Sequence, residues 1–512
     1  VSKIKEVIFY MASIVIWQRY MFMLMVFCLP FTHFSLDLPL VGKSPYLLFL
    51  LIGYTLFLFE YIILRKSFNK WEKYGWVFFC IITMSKVITG IIGIIDYQYF
   101  EQINLEQMEN FKNLFDNLSL YFPLNEEFSI KYWLIYKEIR GAILNVVYSY
   151  LISFWIYHIY KENWKRAIYD LKKMTLVLCA ILSFYSIFEI NYLIGGNIGE
   201  SFLSIINPIY MTIADTHNWW PPMFWNGQLR SLFAEPSFFG IYTAMVIPIL
   251  FSFYFDRKIT YKSVTGRIVY ICIVTMLVLS KARTATVLFC IEFFLLIMWI
   301  CIYKRQYWKK IISIGVCTCV AFFLGLILMT QFNRETNSYQ NNVSVESYVS
   351  QNLTSVVGNK RSNNARFANV RATMLVGIQH PIFGVGYGLK DVYLDKNLQD
   401  DDRLVPEVAN WSRIMYEKGP LKSSYPTLNQ IAGVFAEEGL IGIVLFMTPI
   451  LGIIIGVIKY RINIFDSERI CLIISFIGLC CAFFSNIATV EFFIITGFMI
   501  LLFEHYREFN DE

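Results

Sequence analysis

The sequence predicts an all-α polytopic membrane protein with about 12 transmembrane helices and a long extracytoplasmic loop that contains an amphipathic helix. Three observations lead there. Hydrophobic residues make up 57% of the 512, charged residues only 16%, and mean hydropathy is +0.52, whereas soluble domains carry roughly 25% charge. Apolar runs of spanning length recur along the chain. The connections between them alternate between basic and basic-poor. A chain with this little polar surface could not cover itself in water, so lipid is its expected solvent.

A spanning helix needs about 20 mainly apolar residues. Such runs lie near 11–31, 45–63, 75–95, 141–160, 174–195, 236–255, 267–281, 284–303, 310–331, 430–458, 469–487 and 489–504. The first lacks a small-residue cleavage site and reads as a span rather than a leader. Arg65, Lys66, Lys70 and Lys73 follow the second run; Lys161, Lys165, Arg166, Lys172 and Lys173 follow the fourth. Arg257, Lys258, Lys262 and Arg267 follow the sixth; Lys304, Arg305, Lys309 and Lys310 the eighth; Lys459, Arg461 and Arg469 the tenth. Every second connection is positive, so the positive-inside rule predicts cytoplasmic termini. The 11 cysteines are scattered through apolar runs without ligand spacing and the 5 histidines are dispersed, so no metal site is read.

The expected organisation is helices 1–9 within residues 1–331, with extracytoplasmic loops near 96–140 and 196–235. A long extracytoplasmic loop, 332–429, follows, then helices 10–12 and a cytoplasmic tail within 430–512. The first loop is acidic, with Asp96, Glu101, Glu106, Glu109, Asp116, Glu126 and Glu127. The last is too long for an idle connection. It opens with an Asn/Ser-rich stretch, 336–364, that reads as flexible. From Ala365 to His380, Phe367, Val370, Met374, Leu375 and Ile378 recur at helical spacing, with Arg366 and Arg371 on other faces. This predicts an amphipathic helix on the outer leaflet or roofing the bundle. Pro381 ends it, and Gly384, Gly386 and Gly388 predict a flexible continuation.

The unusual charges concentrate at the extracytoplasmic face. Arg230 sits one short loop before Pro236, a residue suited to the first turn of a helix. A helix N-terminus beside a guanidinium makes an anion site, or the arginine simply snorkels to headgroups. Lys281 and Arg283 lie in a turn so tight that they fall at the apolar boundary, where a compensating anion is expected. That anion could equally be an internal carboxylate. Arg366, Arg371 and His380 lie on the loop helix, as ligand contacts or as its solvated face. Asp400-Asp401-Asp402 reads as an acidic turn. Glu437 and Glu438 open the tenth span, in capping or proton transfer. Guanidinium groups bind phosphate bidentately, and His217, Trp219, Trp220 and Trp225 add surfaces for sugar rings. A phosphorylated lipid carrying a glycan fits such a face.

Three separated segments resemble the O-antigen polymerase and O-antigen ligase superfamily of bacterial cell-envelope glycosyltransferases. RSLFAEPSFFG, from Arg230 to Gly240, is similar to the arginine-plus-EPS segment of the polymerases. SKARTAT, from Ser280 to Thr286, is similar to the Ser-x-x-Arg turn. RFANVRATMLVGIQHPIFGVGYG (366–388) with NQIAGVFAEEGLIG (429–442) resembles the long-loop signature and the helix after it. Where ligases commonly carry His-Asn, this chain has Leu428 before Asn429, and a family tryptophan position holds Val370.

The resemblance implies a GT-C-like membrane fold in the bacterial inner membrane. It implies an inverting O-antigen polymerase that uses undecaprenyl-diphosphate-linked oligosaccharide, with no nucleotide sugar, metal or other cofactor and no nucleic acid partner. A chain-length regulator protein is a further implied partner. Arg230, Arg283 and Arg366 would clamp the leaving diphosphate, with Lys281 and Arg371 as further cations and His380 as a glycan contact. Glu235 would serve as base, with Glu437 as the alternative. A ligase acting on lipid A core, disfavoured by Leu428, and a lipid-linked oligosaccharide flippase remain as other readings. A transporter would show broken helices and buried polar residues near the midplane.

Overall fold

Each of the twelve apolar runs falls on a helix. The computed structural model describes residues 2–37, 41–63, 67–211, 227–256, 260–332, 361–460 and 466–511. The helices are α1 (Ser2–Phe27), α2 (Tyr46–Ile62), α3 (Lys70–Ile95), α4 (Glu109–Ser119), α5 (Glu126–Val147), α6 (Tyr150–Tyr160), α7 (Trp164–Leu193), α8 (Asn197–Tyr210), α9 (Pro236–Phe251) and α10 (Tyr261–Ser280). They continue with α11 (Arg283–Tyr303), α12 (Trp308–Phe332), α13 (Arg361–Gln379), α14 (Lys390–Lys396), α15 (Asp400–Arg403), α16 (Pro406–Lys418), α17 (Gln430–Tyr460), α18 (Ser467–Ala482) and α19 (Val490–Asp511). Among the described residues, eight stretches are long and apolar enough to cross a membrane: α3, α5 joined to α6, α7, α9, α10, α11, α12 and α17. Shorter apolar stretches in α1, α2 and α19 accompany them. The chain is an all-helical polytopic membrane protein.

The most enclosed helix of the eight is α9, packed against α7, α10, α11 and α18. At Gly240 a Cβ would stand 2.7 Å from that of Ala285, so the small residue sets how closely α9 approaches α11. At one end of the bundle a buried polar network ties five helices. His158 on α6 lies 2.9 Å from Glu60 of α2 and 2.8 Å from Glu72 of α3. Gln18 of α1 donates to Glu60, and Arg19 pairs with Asp170 of α7 at 2.8 Å. Each carboxylate buried there has a cation or donor, as burial requires.

At the other end, residues 94–134 and 361–436 build a second apolar core. Tyr97, Phe111, Ile130 and Leu134 pack there with Ala372, Val376, Leu394, Met415 and Ala436. Asp395, fully buried, anchors this cap, accepting from Tyr425 (2.6 Å), Tyr416 (2.9 Å) and Arg403 (3.1 Å). Parts of two of the three segments expected to share one face, 96–140 and 332–429, pack together in this core. Residues 212–226, with His217, Trp219, Trp220 and Trp225, and 333–360, which holds most of the Asn/Ser-rich stretch, lie outside the described residues.

One expectation about the long loop is corrected, and another is filled in. On α13 the buried face is the small-residue side, Ala365, Ala368, Ala372 and Val376, laid on α17. Phe367 and Ile378, on the predicted apolar stripe, are 61% and 60% exposed, as on a helix that turns this stripe to lipid. Close helix approach selected small residues, and the bulky ones face outward where lipid can cover them. The glycines after Pro381 are not a flexible continuation. They let residues 381–386 dock on an interruption in α17, as the next section describes.

Candidate functional site

Arg230 is carried by a loop whose shape is set by a carboxylate from inside the bundle. Glu189, on α7 and 1% exposed, accepts from the Arg230 N–H at 2.9 Å and the Ser231 N–H at 2.8 Å. Ser231 has φ 54°, a left-handed backbone that turns two consecutive N–H groups to one side, making a small anion-binding nest. The Leu229 N–H bonds the Leu279 carbonyl, which ties this loop to the end of α10. The Arg230 side chain then points inward. It is 3% exposed and donates to the Phe233 carbonyl at 2.9 Å, near Tyr210 and Tyr185.

The turn between α10 and α11 also runs through a left-handed residue, Lys281, at φ 51°. The two positive-φ non-glycine residues among those described thus belong to the two loops that bear the sequence-predicted cations. Strain of this kind, on the order of 1–3 kcal/mol per residue, persists where the surroundings over-determine it. Lys281 is half-buried and joins no ion pair among the described residues, and burial lowers its pKa. Arg283 donates to Asn363 of α13 at 3.1 Å, and Arg366 on the same helix donates to the Ser485 carbonyl at 3.2 Å. Partial burial and the neighbouring Arg283 both lower the Arg366 pKa, while Glu235 opposes them. Arg283 thus reaches α13 one turn from Arg366, through Asn363, and Glu235 is near enough to act on Arg366. Two guanidiniums brought side by side, against their mutual repulsion, form a place where an added anion is stabilised.

Helix α17 is two helices joined at Gly439, where φ is 65° and ψ −160°. Its freed backbone groups are satisfied by the segment after Pro381. Val385 N–H bonds Ala436 O at 2.9 Å, Gly386 N–H bonds Glu437 O at 3.0 Å, and Leu440 N–H bonds Pro381 O at 2.8 Å. A Cβ at Gly384 would lie 2.4 Å from the Glu437 carbonyl carbon, and φ there is +67°. Gly384→Ala is expected to cost at least about 2 kcal/mol, from the left-handed backbone and the overlap together, and to lower the unfolding temperature in detergent. An unchanged midpoint would show that this docking does not hold the cap on the bundle.

Beside the break lies a cavity of about 1030 Å³, walled by α3, α5, α9, α17, α19 and the 387–390 turn. Lys86, Glu138, Lys390, Glu437, Glu438 and Glu491 line it. Lys390 pairs with Glu437 at 2.7 Å, and Lys86 with Glu438. Phe233, Phe238 and His33 also line it, and the His33 ring is close enough to feel Glu235 and Arg230. The cavity wall thus passes through the loop that joins Arg230 to Glu235.

The predicted residues therefore divide. Arg283 and Arg366 approach one another at α13, with Lys281 in the same turn as Arg283, Glu235 near enough to act on Arg366, and Arg230 buried in the loop before α9. Glu235 accepts from Ser237 at 3.1 Å. Glu437 faces the cavity, tied to Lys390. Arg371 is drawn away to Gln399 (2.7 Å) and Asp402 on the cap. His380 packs edge-on against Tyr393 in the cap, with rings 5.1 Å apart, away from the arginine pair. The acidic turn Asp400–Asp402 is α15, which supplies Arg371 its partner. Sequence reasoning missed Glu189, Lys86, Glu138, Lys390 and Glu491. The signal for three of them was available, since Lys86, Glu189 and Glu491 sit inside predicted spans, where ionisable residues carry a functional presumption. The expectation that unusual charges concentrate at one face is corrected: Glu60, Asp170 and Glu292 are also buried in the bundle.

The fold defines a polytopic membrane protein in which Arg283 and Arg366 approach one another near a large cavity lined by six charged side chains. Residues 268–447 match the family model described as O-Antigen ligase, so this stretch of the chain is similar to that family. Members of that family are glycosyltransferase-like enzymes of O-antigen and glycan processing. The matched segment carries Lys281, Arg283, Arg366 and the α17 break; Arg230, Glu189 and Glu138 lie outside it. The chain matches no curated protein.

Proposed function

We propose that the protein is an O-antigen-type polysaccharide polymerase of the bacterial inner membrane, its cap end facing the periplasm. It transfers a growing glycan from undecaprenyl diphosphate to a hydroxyl of an incoming lipid-linked repeat unit, inverting the anomeric centre without a metal. The observation that carries the reading is the Arg283–Arg366 pair, with Lys281 in the same turn, set at one end of the bundle within reach of a lipid. As the glycosidic bond to the diphosphate breaks, negative charge grows on the leaving oxygen. Fixed cations there stabilise the transition state more than the ground state. Arg230 adds its positive charge from beneath, and its loop shapes the start of α9. Leu428, where ligases commonly carry histidine, supports polymerase over ligase, and Asn429 has a structural use in accepting from the Ala432 N–H at 2.9 Å.

The test is direct. Purified protein in detergent, given undecaprenyl-diphosphate-linked repeat units, should produce lipid-linked glycans of increasing length and release undecaprenyl diphosphate. Transfer only to lipid A core would replace this reading with the ligase. The break in α17 and the buried Glu292 are features a transporter could share, so turnover in detergent, where no second compartment exists, is what sets pure transport aside.

A further inference from the structure

We infer that the cavity beside the α17 break is the acceptor-saccharide site, and that Glu138 is the group that takes the acceptor hydroxyl's proton. The inference rests on the polymerase reading and adds to it a binding site and a catalytic residue.

Four carboxylates line the cavity: Glu138, Glu437, Glu438 and Glu491. Glu437 is held by Lys390 and Glu438 by Lys86, and Glu491 accepts from Thr489. Glu138 alone of the four accepts no hydrogen bond and joins no ion pair among the described residues, although it is only 7% exposed. Its carboxylate is not among the sealed, unpartnered polar groups of the described residues, so it is open to the cavity and free to accept from a ligand hydroxyl. Its position is fixed by close packing: a Cβ at Gly90 would stand 2.6 Å from Glu138 Oε2. The carboxyl thus rests against Gly90 of α3, in the space a side chain there would fill, and lines the cavity from that position.

The cavity suits a saccharide. Its volume of about 1030 Å³ is at the upper end of the roughly 300–1,000 Å³ typical of pockets for drug-sized ligands. Two lysine–carboxylate pairs offer donors and acceptors to hydroxyl groups, and Tyr148 and Tyr387 offer ring faces. The opening toward Phe233 and Phe238 leads to the loop that carries Glu235, which stands by Arg366. In the step itself, the acceptor hydroxyl oxygen bonds to the anomeric carbon of the donor glycan. The bond from that carbon to the diphosphate oxygen breaks, and its electron pair leaves with the lipid diphosphate. The hydroxyl proton passes to Glu138, which later releases it to water.

The experiment compares wild type with Glu138→Gln in detergent, using lipid-linked repeat units as substrate and undecaprenyl diphosphate as a binding probe. The expected result is a fall in kcat of about 10²–10⁴-fold, the usual range for loss of a general base, with affinity for undecaprenyl diphosphate within twofold of wild type. Glu138→Asp should recover part of the rate. A Glu138→Gln rate within threefold of wild type overturns the assignment while leaving the polymerase reading intact; no transfer by wild type overturns the polymerase reading itself. A second measurement needs no variant. Carbodiimide inactivation of the wild-type enzyme should track modification of Glu138 and be slowed by acceptor repeat units. Inactivation with Glu138 unmodified would equally overturn the assignment.

Discussion

Replacing either Arg283 or Arg366 by alanine is expected to slow glycan transfer by about 10²–10³-fold, the cost of removing one fixed donor from a site of developing negative charge. Folding should be little affected. Arg283 donates to Asn363 and Arg366 to the Ser485 carbonyl, and losing a neutral contact of this kind costs about 1 kcal/mol. Lysine should restore only part of the rate, because an ammonium cannot present the planar fork that grips two phosphate oxygens. Arg371→Ala is the control. Its guanidinium is occupied by Gln399 and Asp402 on the cap, and an exposed pair of that kind contributes about 0–1 kcal/mol. Initial rates of chain elongation, measured with matched unfolding midpoints, decide the matter. Near-normal rates for both alanine variants would remove the anion clamp as an account of the site.

How much of this was legible in the sequence follows from what each signal encodes. Hydropathy reports the solvent of a helix, so the twelve apolar runs found their helices. It does not report which neighbours a helix meets, so it showed the bulky stripe of α13 and not the packed face of Ala365, Ala368 and Ala372. Glycines were visible, but their purpose was not. Gly384 and Gly439 can be read as flexible until the partner backbone, 2.3–2.7 Å from where a Cβ would be, is known. For the site, the cations were found because they break the charge rule at tight turns. Their partners were harder, since Glu189 and Arg230 are 41 residues apart and no local spacing links them. Glu138 lay outside the run taken as a span, near 141–160, and was passed over as part of an acidic loop.

Glu189→Gln is expected to destabilise the protein by about 3–5 kcal/mol, the cost of stripping a buried charge of its compensation. The glutamine retains the size of the side chain but presents an N–H₂ toward one of two backbone N–H groups that both donate to the carboxylate now, at 2.9 and 2.8 Å. The left-handed turn at Ser231 loses what holds it. Arg230, 3% exposed, is left with the Phe233 carbonyl and two tyrosines but without the nearby negative charge. Transfer should fail along with stability, because the same loop leads into α9 and Glu235. A structural role alone would also move both readouts, so the electrostatic part needs a cycle. If charge compensation is the cause, Glu189→Leu and Arg230→Met together should be less destabilising than the sum of the two alone, by at least about 1 kcal/mol. Additive effects in thermal unfolding would mean that Glu189 acts only through the backbone nest, and that the buried guanidinium finds its compensation in the tyrosines Tyr185 and Tyr210 instead.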